Sequence, residues 1–373
     1  MHRHFLHFAF CLLLALLTGC SDVDQVENLA FAEILGVELN DQDEIEVSIQ
    51  VPKIAGQRGE SSGGSGESQP LVYSAGSKNF DEALNLLRWA VPRRLDLSQI
   101  KLIVVSEELA ADVRFEQAAA TIMATPRLYT AARFAVCEGS AKEFVKAEKP
   151  VIGTRLSTEL EATFEDYIRS GFIPDTTFAD VFLSGKSIYS DSLAIHANSS
   201  DPAAAAAAII PDSAASSNVE MQNSNRFLGA AVFREGRMIG KLTGEEYLYC
   251  KILQGEKQAF PFIIDGQTIG LTTLGKPSIA VDTSSDPCRI TVGLRISVVS
   301  GSKNAPEESL EAELTETFNQ VIRTCKAMNA EPFGFAQQAA GSFASTSEWL
   351  AYDWHSRFIE SNVDIEIDIS AKT

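Results

Sequence analysis

The sequence predicts an α+β fold of mixed α/β character, in three domains whose mixed sheets are packed by helices. Three observations carry this reading. Strand-type and helix-type segments alternate over residues 20–148, as they do where helices cover a sheet. A stretch rich in Ala, Ser and Asn, residues 197–225, interrupts the patterning and reads as a linker. Beyond it, residues 226–373 combine one long amphipathic helix with alternating strands, which predicts a largely antiparallel C-terminal sheet.

The elements follow in order. Residues 1–19 contain Arg3, three histidines and no acid, around an apolar run from Phe8 to Leu17. This is the build of a secretory signal peptide, and the run is too short to span a bilayer comfortably. Leu17-Thr18-Gly19-Cys20 closes it in the pattern of a bacterial lipoprotein. Cleavage before Cys20 and acylation of that cysteine are expected, leaving a body tethered outside a membrane. Ser21 to Phe31 is an acidic tether entering the first element, and Leu29 to Val37 is apolar.

Glu44 to Val51 alternates and predicts a half-buried strand, with Ile45, Val47, Ile49 and Val51 inward. Ala55 to Pro70, rich in Gly, Ser and Glu, reads as a hairpin loop returning through Leu71 to Ala75. Asn79 to Val91 has Phe80, Ala83, Leu84, Leu87 and Val91 at helical spacing, and Pro92 ends it. Ile100 to Val105 is a continuous apolar run, expected of a strand buried on both faces. Ser106 then caps a helix whose first turn holds Glu107 and Glu108. A strand over Ala131 to Cys137 and a helix over Ser140 to Ala147 complete the first domain.

Residues 149–196 read as a small, mostly helical middle domain, with helices over Thr154 to Arg169 and Thr177 to Leu183. After the linker, with its run Ala203 to Ala208, a strand over Phe227 to Phe233 turns at Glu235-Gly236 into Met238 to Leu242. Further strands are expected, among them Ser278 to Asp282 and Ile290 to Val299. The best helix starts near Pro306 and buries Leu310, Leu314, Phe318, Val321 and Cys325. Asn362 to Ser370 alternates strictly, with Val363, Ile365, Ile367 and Ile369 inward.

Composition narrows function. Over 373 residues the formal net charge is −19, so the body as a whole is repelled by nucleic acid and by anionic lipid, and without a Lys/Arg cluster to serve as a phosphate footprint nucleic acid is excluded as a partner. Cys137, Cys250, Cys288 and Cys325 remain once Cys11 leaves and Cys20 is acylated. An exported setting permits three disulfide pairings among four cysteines, and four small buried thiols are the default. Without a CxxC pair, and with only His196 and His355 in the mature chain, no zinc site and no cofactor are expected.

Three segments imitate catalytic motifs. Gly59-Glu60-Ser61-Ser62-Gly63 matches the nucleophile elbow but lies in a Gly/Ser loop rather than between strand and helix. Gly270 to Lys276 approaches a phosphate loop, yet Pro277 stands where a Ser or Thr must bind magnesium. Asp353-Trp354-His355 is no acid–histidine relay, because adjacent side chains point apart. No enzymatic activity is expected.

Five blocks, in order along nearly the whole chain, resemble one family. They are Leu17 to Cys20 with Glu27 to Phe31 and Ile34 to Val37; Tyr73 to Gly76 with Phe80 to Ala83; Pro92-Arg93-Arg94-Leu95 leading to Ile100 to Ala110; Gly229 to Phe233 with Met238 to Leu242; and Gly334-Phe335, Trp349, Trp354 and the final strand. The chain resembles the C subunits of spore germinant receptors, the Ger(x)C-type (GerAC-like) lipoproteins. It departs from them at Ser21 to Asp24, where the family has Trp and basic residues, at Gln99, where a histidine is common, and in a last strand without the family's glycine.

The resemblance implies a lipoprotein on the outer face of the spore inner membrane. It would be a non-enzymatic part of a nutrient germinant receptor, assembled with integral-membrane A- and B-type subunits. Arg93 and Arg94 are candidates for a partner contact or for an ion pair inside the fold. The competing reading of the same anchor and α/β content is a solute-binding lipoprotein of a transporter. It would need two similar lobes, and the sequence shows no internal duplication.

Overall fold

Apolar runs that alternate with amphipathic helices can hide only if the strands share a sheet and the helices cover both its faces. The computed structural model, which describes residues 26–53, 70–150, 155–185, 187–198, 226–256, 258–264, 266–300 and 307–371, builds that arrangement. The first part of the chain runs β1 (Leu29–Phe31), β2 (Ile34–Leu39), β3 (Ile45–Val51), β4 (Leu71–Ser77), α1 (Phe80–Ala90), β5 (Arg94–Asp96), β6 (Leu102–Ser106), α2 (Glu107–Ala111), α3 (Arg114–Ala124), β7 (Arg133–Glu138) and α4 (Ala141–Ala147). Then follow α5 (Leu156–Arg169), α6 (Phe178–Ser184), β8 (Ser192–Asn198), β9 (Arg226–Arg234) and β10 (Arg237–Thr243).

Eight strands form one sheet in the order β10-β9-β8-β7-β6-β2-β3-β4. Its centre, β2, β6, β7 and β8, is parallel, and an antiparallel strand pair extends each side. Successive side chains go to opposite faces. Leu35, Ile103, Phe134 and Ala231 meet α1, α3 and α6 through Phe80, Leu84, Phe115 and Phe178. Ile34, Leu102, Ala135 and Ile195 meet α4 and α5 through Phe144, Leu160 and Phe164. The expected caps form: Asn79 accepts from the Glu82 amide, and Ser106 from the Leu109 amide. Gly36 on β2 lets α4 come close, since a Cβ there would lie 2.8 Å from Val145 Cγ2.

The structure differs from the expected division of the chain. Residues 149–196 do not stand apart as a helical module: α5 and α6 cover opposite faces of the one sheet. Nor does a new sheet begin at 226, because β9 and β10 continue the first one. All seven residues of β8 are buried, and an apolar strand of that kind needs a partner on both edges. The Ala203 to Ala208 run lies outside the described residues. Strand β3 is also a correction. It is buried on both faces rather than half-buried, because α4 covers its polar side. There the Gln50 amide donates to the carbonyls of Val145 (3.0 Å) and Glu148 (2.6 Å).

The chain continues through α7 (Gly244–Leu253), β11 (Ala259–Ile264), β12 (Gln267–Thr273), β13 (Ser278–Asp282), β14 (Arg289–Ser300), α8 (Glu307–Ala327), α9 (Phe335–Ala340), α10 (Thr346–Tyr352), α11 (Trp354–Glu360) and β15 (Asn362–Ala371). Strand β14 is the hub of the second sheet. It pairs antiparallel with β13 and β12 in succession, and with β15 along its length. The sheet is mainly antiparallel, but the last strand runs parallel to β14, with Arg289 opposite Asn362. Helix α8 buries Leu310, Leu314, Phe318, Val321 and Cys325, and Tyr249 of α7 meets Phe318 edge-on at 5.2 Å. This core also takes in Ala230 and Val232 of β9, so the two sheets share a wall.

Candidate functional site

Two polar clusters stand where the sheet's chemistry concentrates. The first lies at the carboxyl ends of the parallel strands, where ligands bind in open α/β sheets. Register places His196 of β8 opposite Val136 of β7, two residues before Glu138, and β6 ends directly before Glu107. Ligand-type atoms of Glu107, Glu138 and His196 all lie within 4.8 Å of one another. Lys241 of β10 reaches into the group, paired with Glu138 and at 3.4 Å from Glu107 Oε2. Burial opposes charge on Lys241, but Glu138 and Glu107 outweigh it and raise its pKa. His196 is pushed down to about 4, by burial first and the Lys241 charge second, and so is neutral at pH 7. Its buried Nε2 has no hydrogen-bond partner and stands 3.6 Å from Glu138 Oε1. One imidazole and two carboxylates could hold a divalent cation, which sequence spacing did not reveal. In this arrangement the Lys241 ammonium supplies the positive charge.

The second cluster joins the two sheets. Asp191, just before β8, faces Arg234 at the end of β9, and the guanidinium donates twice to its carboxylate, each bond 3.2 Å. The Glu331 amide donates to Asp191 Oδ2 (2.7 Å), the Asp191 amide donates back to the Glu331 carbonyl (3.3 Å), and His355 Nε2 stands 3.4 Å from Asp191 Oδ1. Burial opposes ionisation of Asp191, but His355, the Glu331 amide and Arg234 hold its pKa below the ordinary value. Glu331 is fully buried. Desolvation lifts its carboxyl to about 8 even though it accepts amide bonds from Phe335 and Ala336, each 3.1 Å. Nearby, the Trp349 indole donates to the Ile188 carbonyl at 3.1 Å, and its ring stacks with Tyr189 and lies 5.8 Å from Trp354. Thus Trp349 of the fifth sequence block holds the segment entering β8, with Trp354 packed against it. A groove of ≈ 390 Å³ opens beside this junction, lined by Ser190, Asp191, Gln254, Lys276, Phe333 and Gln337 among others.

The sequence-predicted positions fall apart from both clusters. Cys20 and the Gly59–Gly63 match lie outside the described residues. Arg93 is half-buried and Arg94 exposed at the start of β5, where Arg94 sits opposite Leu29 of β1. Asp96 of the same strand is salt-bridged to Arg127 at 2.8 Å. Cys137, Cys250, Cys288 and Cys325 are free and buried, and burial raises each thiol's pKa. Gly270 belongs to β12, and Lys276 lies between β12 and β13, so no strand-to-helix phosphate loop exists there. Trp354 is packed as expected, while His355 Nε2 stands beside Asp191 rather than Asp353. Among the described residues, no helix is long and apolar enough to cross a membrane.

Comparison with known proteins gives these features a family. Residues 22–191 match the spore germination protein N-terminal domain, and residues 228–373 match the spore germination B3/GerAC-like C-terminal domain. The chain is 22% identical over 374 residues to YfkR of Bacillus subtilis (strain 168), covering 95% of this chain and 92% of that one. It is 28% identical over 140 residues to the spore germination protein KC of the same organism, which is 36% of this chain and 34% of that one. The crystal structure of the GerBC protein superposes with a TM-score of 0.55 at 11% identity, covering 94% of this chain and 100% of that one, so the fold is shared. With both family domains matched in order along one continuous architecture, the chain belongs to the GerAC-like family of spore germination proteins.

Proposed function

We propose that this protein is the lipid-anchored, non-enzymatic subunit of a nutrient germinant receptor. Acyl groups on Cys20 would hold it at the outer face of the spore inner membrane, where it assembles with integral-membrane A- and B-type subunits. The observation that carries the reading is the pair of germination-family domains, the first starting at residue 22, directly after the Leu17–Cys20 acylation pattern. A shared wall between the two sheets suits a scaffold that presents a fixed surface to partners.

Two measurements test this. Cys20→Ala is expected to move the protein from the membrane pellet to the soluble fraction of spore lysates; full retention with full germination would remove the lipid from the proposal. Affinity capture of the tagged native protein from spore membranes is expected to bring down a multi-span subunit together with a second integral-membrane subunit. Recovery of a permease with an ATPase instead would favour the transporter reading.

A further inference from the structure

Helix α1 turns one side to solvent, and part of that side is strongly apolar. Trp89 is 90% exposed and Leu86, three residues earlier, is 50% exposed. That step puts both on one strip of the helix. The core is complete without them, since Phe80, Ala83, Leu84 and Leu87 fill the inward side.

The charge is divided along α1: the exposed acids Asp81 and Glu82 stand in its first turn, and the end beside Trp89 is basic. From Arg88 to Leu95 the chain carries Arg88, Arg93 and Arg94 and no acid, in a protein of net charge −19. The Arg88 guanidinium donates to the amide oxygen of Asn85 at 2.8 Å, a neutral partner that leaves the cation's charge in place.

Position adds a third observation. The α1–β5 corner leads into β5, which pairs in parallel with β1, Arg94 opposite Leu29. Leu29 follows Cys20 by nine residues, which is roughly 30 Å of extended chain at most. The path from the acylation position and the Trp89 corner therefore enter the fold side by side.

We infer that Trp89, Leu86, Arg88 and Arg93 form a bilayer-contact patch that seats this corner against an anionic lipid surface beside the anchor. The inference rests on the lipid anchoring proposed above. Indole rings favour the headgroup level, and arginines are drawn to anionic headgroups. The same surface repels the acidic remainder of the body, so the patch sets its orientation. Such a patch adds a contact beside the acyl groups on Cys20 and fixes how the body faces the membrane.

The test uses the chain's own tryptophans. Trp349 and Trp354 are buried, so an emission change on contact with lipid reports Trp89. The unacylated mature chain is coupled through the Cys20 thiol to a maleimide phospholipid; its other four cysteines are buried. The vesicles contain phosphatidylcholine and phosphatidylglycerol, with brominated acyl chains as quenchers. We expect a blue shift and quenching of Trp89, both lost in Trp89→Ala and weakened in an Arg88→Gln, Arg93→Gln double variant. Circular dichroism verifies that these surface variants fold.

Unchanged Trp89 emission on tethered protein would overturn the inference. So would equal quenching on vesicles of phosphatidylcholine alone, which would deny the basic residues their role. Loss of captured subunits in Trp89→Ala, with no response to lipid, would assign the surface to a protein partner instead. Because the tether is chemical, a failure here is distinct from a failure of acylation, which Cys20→Ala in spores reads separately.

Discussion

Glu331 and His196 are both buried titratable groups, and their pKa values are displaced in opposite directions. Glu331 ionises near 8 in the fold against an ordinary value of 4.5. The unfolded chain therefore releases this proton from about pH 4.5 upward while the folded chain keeps it, and stability falls as pH rises across that window. His196 protonates near 4 in the fold against an ordinary 6.5. The unfolded chain takes up a proton below 6.5 that the folded chain refuses until about 4, so this contribution is lost as pH falls. The two slopes oppose each other between pH 4.5 and 6.5, and Glu331 acts alone above. A stability loss of about 2 kcal/mol is expected between pH 6.5 and 8. Urea titrations at a series of pH values should show this loss in the native protein and a flat profile in Glu331→Gln. An unchanged slope in the variant would mean that Glu331 is ionised in the fold. Neither group could be singled out from sequence. Asp191 and Glu331 are 140 positions apart, and only the meeting of the two sheets sets one beside the other.

At the scale of elements, the first face of the large sheet is organised by one aromatic residue. Phe134 of β7 meets Phe178 edge-on at 5.1 Å, Phe233 at 5.8 Å and Phe115 at 6.1 Å, tying α6, β9 and α3 to the centre. Phe134→Ala is expected to cost ~3–5 kcal/mol in equilibrium unfolding, since it removes a fully buried ring and leaves a cavity. Asn79→Ala, which removes only the α1 cap, should cost about 1 kcal/mol. Comparable losses from the two would show that the ring cluster is not the centre of this core. The elements legible in sequence were those with a clean period or a cap: α1, α8, β6 and the Ser106 helix start. Helix α7 escaped because it is buried nearly all round, which erases the one-sided apolar stripe that marks a helix. Strand β3 alternates like a half-exposed strand, yet a helix from about a hundred residues downstream covers Ser48 and Gln50. The parallel course of β15 was equally hidden, because alternation reads the same in either strand direction.

For the whole molecule, the consequential feature is that β9 and β10 finish the first sheet while β9 also walls the second core. Gly229 allows β9 to pass tightly under the end of β10: its φ is +149° and a Cβ would lie 2.2 Å from the Leu242 carbonyl oxygen. A chain from Cys20 to Asn198 would leave the outer edge of β8 unpaired, and it is expected to elute as aggregate in size-exclusion chromatography. Extension through Thr243 restores that edge and should increase the monomeric fraction; a monodisperse product ending at Asn198 would show that β9 is dispensable. By itself, the sequence determined the fold class, the existence and type of the strongly periodic elements, the acidic balance and the family. These follow from local pattern, charge and the order of short motifs. Tertiary structure alone decided which strands share a sheet, which polar faces are covered, and which distant charges meet. Strand register and layer packing join residues tens to hundreds of positions apart, and no local period records that pairing.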